Sequence, residues 1–300
     1  MKYVDFGKTG LKVSRIAVGG YPFAGVNKAQ GWDPHSDEGR KTAIRTIHTA
    51  LDAGINYIDT AAAYGNGHSE SIIGEVLKTR RDDCFVATKV SYNGIDKAGV
   101  IQSVEASLRR LQTDYVDVIQ FHGGIYDNES YDRIVNGGLL EGLQELRRQG
   151  KVRLLGLTTE DAHSALNLCN TGLFDVVQVN YNIIYQTAAL HLLDLTRAKG
   201  MGVAVMRPMT SGIFQRLMEY LSPELAWHED LYSLCLKFLL SDSRVHIINA
   251  GMRWPEEVER NVRLIDAYEP PLDIVELPRM TVKIYETDDL RNGFVPPVNP

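Results

Sequence analysis

Four side chains form a set suited to carbonyl chemistry: Asp59 and Tyr64 in NYIDTAAAYGNGHSE, Lys89 in CFVATKV and His122 in YVDVIQFHGG. A carboxylate, a phenol, an ammonium and an imidazole together can protonate a carbonyl oxygen while a hydride reaches the carbon. A tyrosine has an ordinary pKa near about 10, so at neutral pH it is an acid rather than a base. A neighbouring ammonium favours the phenolate and lowers that value. Two unit charges about 4 Å apart interact by roughly 4 kcal/mol at an effective dielectric of about 20. Lys89 is placed to supply the ammonium, and Asp59, one strand earlier, is the anion that keeps a buried lysine charged. His122 can donate a hydrogen bond to the carbonyl oxygen or relay a proton. Taken singly, each has a plainer reading: a turn or cap aspartate, a strand-end lysine, a core histidine, a loop aromatic. Those readings do not account for four complementary groups where three successive apolar strands give way to loops, which is where a barrel of alternating strands and helices keeps its chemistry.

The elements that must position them alternate along the chain. KYVDF and LKVSRIAV flank the turn GKTG, a hairpin. RIAVGG is the first barrel strand, followed by a helix in SDEGRKTAIRTIHTALDAG, capped by Ser36 or Asp37 and closed by Gly54. NYIDTA, CFVATKV, YVDVIQFH, VRLLGLT, VVQVNYN, GVAVMRP and HIINAG are seven more strands. Helices fall in SESIIGEVLKTR and AGVIQSVEASLRRLQ, and near 137–149, 160–171, 187–200, 231–241 and 255–267. Eight strand–helix pairs close a parallel (β/α)8 TIM barrel of the α/β class, and strands buried on both faces explain the continuous apolar runs. The hairpin is surplus to the eight and is expected to cap the N-terminal mouth. The proline-rich segment from about 268 reads as an irregular C-terminal tail, either a lid or packing against the barrel's outside. Residues 1–300 are expected to form one domain.

Composition agrees with an enzyme of this kind. The chain has 44% hydrophobic and 23% charged residues and a net charge of −6, with no basic stripe for nucleic acid or anionic membrane. Cys84, Cys169 and Cys235 are scattered and lack metal-ligand spacing, so they read as buried thiols in a reducing compartment, and no metal site is expected. The N-terminal MKYVDFGKTGLKVS has no secretion-signal apolar run, and no stretch approaches about 18 apolar residues, so a cytoplasmic protein is expected.

The segments GINYIDTAAAYGNGHSESIIGEVL, ATKV, LRRLQTDYVDVIQFH, GKVRLLGLTT, FGKTGLKVSRIAVGG and NAGMRWPEEVERN resemble the aldo-keto reductase superfamily in order and spacing. That resemblance implies a barrel that binds NADP(H), less often NAD(H), across its C-terminal mouth, with Tyr64 as proton donor, Asp59 and Lys89 tuning it and His122 orienting the carbonyl. It further implies contacts to the cofactor from Gly20 and Tyr21 after the first strand. Thr158, Thr159 and Gln178 stand where the family grips the nicotinamide carboxamide, Thr158-Thr159 replacing the usual Ser-Asn pair. Met206, Arg207 and Pro208 stand where the family often has an aromatic followed by Ser-Pro; methionine can lie against a nicotinamide face and arginine can pair with the pyrophosphate. Gly212 suits close backbone approach. Gly251, Arg253, Glu257 and Asn261 match the region that holds the adenosine and its 2′-phosphate. Arg253 suits a phosphate. Glu257, where arginine or glutamine is usual, suits a ribose hydroxyl, unless it simply pairs with Arg253 on the helix surface. Arg260 stands where glutamate is usual. NADP(H) is favoured over NAD(H).

Tyr21, Phe23, Trp32 and Tyr92 are expected to wall a pocket for a small carbonyl or alcohol substrate, with Asp33 and His35 in reach of hydroxyls and a sugar-like compound as one candidate. The chemistry runs in either direction, reduction of an aldehyde or ketone or oxidation of an alcohol or hemiacetal, in a monomer or homo-oligomer. Two rivals remain: a regulatory subunit that binds cofactor without turnover, and an aldolase-type barrel with a Schiff base on Lys89. The second needs a lysine of lowered pKa, which a neighbouring Asp59 opposes.

Overall fold

The computed structural model describes residues 1–26, 31–228 and 230–269. Strands β1 (Tyr3–Asp5) and β2 (Lys12–Ser14) form an antiparallel hairpin, and β3 (Ile16–Gly19), β4 (Tyr57–Asp59), β5 (Phe85–Val90), β6 (Val116–Phe121), β7 (Val152–Thr159), β8 (Val176–Asn180), β9 (Gly202–Met206) and β10 (Ile247–Gly251) follow. The last eight pair in parallel, in chain order, and close β10 onto β3. Helices α1 (Asp37–Asp52), α2 (His68–Arg80), α3 (Lys97–Leu111), α4 (Asn128–Val135), α5 (Leu139–Arg148), α6 (Leu166–Asn170), α7 (Leu192–Lys199), α8 (Ile213–Leu221), α9 (Pro223–His228), α10 (Leu231–Ser241) and α11 (Pro255–Ala267) fill the connections.

The expected barrel is therefore the observed one, and the hairpin caps it as expected. Phe6, Leu11 and Val13 from the hairpin pack with Ala17, Tyr57, Ala87, Val118, Leu154, Val176, Ala204 and Ile247, the inward-facing residues of the eight strands. Gly7 (φ 58) and Gly10 (φ 80) take the left-handed conformations that the GKTG turn requires. Because strand side chains alternate, the inward positions two residues further along include Asp59, Lys89, Gln120 and Gln178. The barrel is thus apolar at its base and polar below its C-terminal mouth. A separate, larger apolar layer lies between strands and helices.

Ser36 is the cap of α1, its hydroxyl accepting from Gly39 N at 3.0 Å. Other boundaries differ from expectation. The helix expected at 160–171 is only Leu166–Asn170. Upstream, Thr159 Oγ1 and Ser164 Oγ donate to Asp161 O and Asp161 Oδ1 accepts from His163 N, so side chains hold the backbone in a turn that competes with the helix. Helices α4, α8 and α9 lie in segments read as loops. The expected tail from about 268 falls almost wholly outside the described residues. Cys84, Cys169 and Cys235 are free and buried, and burial raises the thiols of Cys84 and Cys169 to about 12. Among the described residues no helix is long and apolar enough to cross a membrane.

Candidate active site

The four expected groups converge at the C-terminal mouth. Lys89 Nζ donates to Asp59 Oδ2 and to Thr60 O, each at 2.7 Å, and to Tyr64 Oη at 3.4 Å. It also lies 4.8 Å from the centroid of the Tyr64 ring. Asp59 and Lys89 are almost fully buried. His122, just past β6, meets Tyr64 edge to face with centroids 5.7 Å apart. Tyr21, half exposed in a 3₁₀ turn after β3, does the same from the other side at 5.3 Å.

Burial sets the protonation states. Desolvation is the largest single influence on Lys89 and would discharge it, but Asp59 and Tyr64 together outweigh it and raise the ammonium's pKa. Burial pushes Asp59 upward, while Lys89, Gln178 and Gln120 pull it back. The expectation for Tyr64 needs correction. Lys89 does pull its pKa down, but burial is the larger effect and the net shift is upward, so the phenol is firmly neutral near pH 7. Burial, followed by the Lys89 charge, lowers His122 to about 4, leaving a neutral imidazole. The site therefore holds one proton donor, one neutral hydrogen-bond donor and a buried ion pair beneath them.

Sequence reasoning missed Gln120. Its Nε2 faces Asp59 Oδ1 at 3.4 Å and Gln178 Oε1 at 3.3 Å, and Gln178 Nε2 faces Asp59 Oδ2 at 3.5 Å. Gly156 makes room for it, since an added Cβ there would stand 3.1 Å from Gln120 Cγ. Strand parity was the available signal: Gln120 shares the inward face of Val118. Glu160 was also missed. It receives Arg207 through Nε and Nη2 at 2.8–3.1 Å and Asn180 Nδ2 at 3.0 Å, linking the ends of β7, β8 and β9.

Several expected contacts are not as read from the sequence. Phe23 and Trp32 do not wall a pocket: they are buried at 0% and 2% exposure, Trp32 Nε1 donates to Pro22 O, and its ring packs on Trp254. Tyr92 is also buried, with its hydroxyl donating to Ile125 O. Only Tyr21 of that group faces the mouth. Thr158 and Thr159 are buried, and their hydroxyls bond the backbone of Gly123, Gly124 and Asp161 rather than standing free for a carboxamide. Glu257 accepts from the backbone N–H groups of Arg253 and Trp254 as part of a capping box. Its Oε2 is thus tied to the backbone, and it is not the side-chain partner of Arg253. His35 stacks on His68 with centroids 4.0 Å apart.

Met206 remains half-buried at the end of β9, next to Arg207, whose φ is 55 and whose Nη1 reaches Ser211 Oγ at 3.2 Å. Pro208 is buried behind it, and Gly212 (φ 79) leads into α8 with open space around it. Gly251 lies against Pro22, Gly20 donates to Asp59 O at 2.7 Å, and Asn261 is half-buried on α11. Arg260 is held by Asp230 at 2.7 Å. Arg253 is the exception: its Nε is buried without a partner among the described residues. An unpaired guanidinium nitrogen beside the start of α11 suits an anionic oxygen. On that observation the residues fit a phosphorylated cofactor. Among the described residues no cluster of three or more metal-type ligands occurs.

A parallel (β/α)8 barrel with a buried Lys–Asp pair beneath a neutral tyrosine and a neutral histidine defines an oxidoreductase-type mouth. The model of the aldo/keto reductase family matches residues 16–281, and the chain belongs to that family. It is 30% identical over 296 residues to an L-galactose dehydrogenase of Arabidopsis thaliana, covering 88% of each chain. It is 27% identical over 314 residues to an NADH-specific methylglyoxal reductase of Escherichia coli, covering 89% of this chain and 94% of that one. Among solved structures, the holo form of an aldo-keto reductase from Bacillus halodurans superposes with a TM-score of 0.75 at 26% identity, over 94% of this chain and 96% of that one.

Proposed function

We propose that the protein interconverts a small aldehyde or ketone and the corresponding alcohol or hemiacetal, using NADP(H) in preference to NAD(H), with Tyr64 as general acid and base. The contact between Lys89 Nζ and Tyr64 Oη carries this reading, because an ammonium beside a phenol at the mouth can stabilise the phenolate left after proton transfer. When bound, the reduced cofactor supplies a hydride to the carbonyl carbon. The neutral His122 imidazole donates a hydrogen bond that fixes the carbonyl oxygen. Tyr64 gives its proton to the same oxygen, and the phenolate left behind is stabilised by Lys89 Nζ, whose charge Asp59 holds in place. In the reverse direction Tyr64 must first lose its proton, so burial of the phenol favours alkaline pH for oxidation.

Gln178, Met206, Arg207, Gly212 and Gly251 are the residues of β8 to β10 and their loops that would receive the cofactor, with Gly20 and Tyr21 after the neighbouring β3 and Asn261 on α11. Arg253 Nε, unpaired among the described residues, supports NADP(H). A small carbonyl substrate accords with the similarity to methylglyoxal reductase, and a hydroxylated, sugar-like one with the similarity to L-galactose dehydrogenase. The test is Tyr64→Phe, assayed in both directions by absorbance at about 340 nm on a panel of aldehydes, ketones, aldoses and alcohols. General acid–base catalysis is worth roughly 10²–10⁴-fold, so turnover should fall by that factor while the dissociation constant for NADPH, read from quenching of tryptophan fluorescence, stays within about twofold. Undiminished turnover in Tyr64→Phe would remove Tyr64 from the mechanism.

A further inference from the structure

The loop that carries Tyr64 is built to stay in one place. Gly65, Asn66 and Gly67 have φ values of 61, 51 and 88, three consecutive left-handed residues between Tyr64 and α2. Asparagine is among the few side chains other than glycine that tolerate this region, and such a run persists only where its surroundings hold it. Two surfaces do so. A Cβ on Gly65 would stand 2.8 Å from Ala24 O, so one side of the loop rests on the turn after β3. A Cβ on Gly67 would stand 2.5 Å from Cδ and Nε of Arg110, so the other side rests on the Arg110 stem.

Arg110 is itself fixed. Its Nε donates to Glu70 Oε2 at 2.7 Å and its Nη2 approaches the same oxygen at 2.6 Å. The other carboxylate oxygen, Glu70 Oε1, accepts from Thr88 Oγ1 at 2.5 Å. Glu70 has no exposed surface at all. The backbone of α3 is pressed against α2 at the same level, where a Cβ on Gly74 would stand 2.3 Å from Arg110 O. Thr88 adjoins Lys89 on β5 but points outward, toward the helices, while Lys89 points in. The chain of contacts therefore runs from the strand of the lysine, through Glu70 and Arg110, to the loop of the tyrosine. None of these three side chains enters the barrel mouth.

We propose that Glu70, held between Thr88 and Arg110, is a positioning residue that clamps the Tyr64 loop to strand β5 and so sets the distance between Tyr64 Oη and Lys89 Nζ. The inference rests on the assignment of Tyr64 as the acid–base group. The charged and titratable groups that face the Tyr64 phenol are Lys89 and Asp59 below it, Tyr21 on one side and His122 on the other. Of these Lys89 alone lowers its pKa, so loosening the loop weakens that lowering and the phenol titrates at higher pH.

Three variants test it: Glu70→Gln, which keeps the shape but loses the ion pair; Arg110→Lys, which keeps the charge but not the fork; and Thr88→Val, which alters no charge and removes one hydrogen bond. Each is assayed for the pH dependence of kcat in alcohol oxidation, for KM, and for NADPH affinity by fluorescence. A displacement of a catalytic group by about 1 Å can cost roughly a hundredfold. Glu70→Gln should lose roughly ten- to a hundredfold in kcat and move the alkaline midpoint upward, with cofactor affinity unchanged within about twofold. Thr88→Val should shift the midpoint in the same direction by less, and Arg110→Lys should fall between the two. Wild-type midpoints in all the variants that fold, with kcat falling only as the folded fraction falls, would overturn the proposal. Should Glu70→Gln not fold, Thr88→Val decides alone, since an isosteric neutral change retains the ion pair. Full turnover in Tyr64→Phe would instead sink the acid–base assignment, a separate failure.

Discussion

The buried Lys89–Asp59 pair makes the site dependent on both charges at once. Removing one partner of a buried ion pair strands the other, at a cost of about 3–5 kcal/mol, whereas replacing both is often nearly neutral. Lys89→Met should therefore lower unfolding free energy in urea by about that amount, and Lys89→Met combined with Asp59→Asn should recover most of it. Neither variant should recover turnover, because both lack the ammonium beside Tyr64. Recovery of activity in the double variant would show that the pair acts only in folding. His122 makes a second prediction. Its folded pKa, about 4, lies below the ordinary histidine value of 6.5, so the unfolded chain binds its proton first as pH falls. Its contribution is present above about pH 6.5 and is lost progressively toward pH 4, on the order of 3 kcal/mol in all. His122→Gln should thus flatten the decline in stability between pH 6.5 and pH 5, above the main carboxylate range, in thermal melts compared with the wild type. Asp59, Lys89 and His122 were legible in the sequence because each falls at or just past the end of an apolar strand, and Tyr64 because it follows Asp59 in the next loop. Gln120 was not, because a lone amide inside VDVIQF resembles strand filling until the inward parity is counted. Phe23 and Trp32 misled for the opposite reason: an aromatic in a loop looks like a pocket wall, and only packing against Trp254 reveals it as core.

Whole elements were legible where their ends carry local chemistry. Ser36 with Gly39 and Gly54 marks α1, and Pro255 with Glu257 marks α11, so both were delimited well. Helix α4 went unseen because only Ile134 of its eight residues is buried, leaving no apolar period to detect. The shortening of α6 was invisible because side chains of Thr159, Asp161 and Ser164 outcompete the helix, a contest that residue types alone do not decide. The hairpin is the element whose role can be checked most directly. Phe6 is wholly buried at the base of the barrel, edge-on to Tyr57 at 5.8 Å, and fills the space that Gly202 leaves, where a Cβ would lie 2.7 Å from the Phe6 ring. Phe6→Ala should lower stability by about 3–5 kcal/mol, as large-to-small changes at buried aromatics do. Since the hairpin lies at the end of the barrel opposite Tyr64, kcat and KM of the folded enzyme should not change. A loss of kcat exceeding the loss of folded protein would show that the base and the mouth are coupled.

At the scale of the molecule, the proposed function requires an anionic cofactor to approach a chain of net charge −6. Attraction has to come from local cations, and two lie at the ends of the neighbouring strands β9 and β10: Arg207, paired with Glu160, and Arg253, whose Nε has no partner among the described residues. This asymmetry assigns different tasks. Under the proposed function, Arg207 is positioned by its ion pair and Arg253 is left to gain one, so selectivity between the two nicotinamide cofactors would fall mainly on Arg253. Hydrogen bonds to charged groups contribute about 1.5–3 kcal/mol, and about 1.4 kcal/mol is a factor of ten in affinity. Arg253→Met should therefore weaken NADPH binding roughly ten- to a hundredfold while changing NADH binding by less than about twofold. The same difference should appear in stability. Ligand at about 100 times its dissociation constant stabilises the folded state by about 2.7 kcal/mol, so a fixed concentration of NADPH should raise the melting temperature of the wild type well above that of Arg253→Met. NADH should raise both alike. If the variant loses affinity for both cofactors equally, Arg253 holds a part they share, such as the adenine or the pyrophosphate. If the wild type is stabilised more by NADH than by NADPH, the preference runs toward the cofactor without the 2′-phosphate, and Glu257, which caps α11 through Oε2 alone, is the carboxylate to test as the ribose ligand.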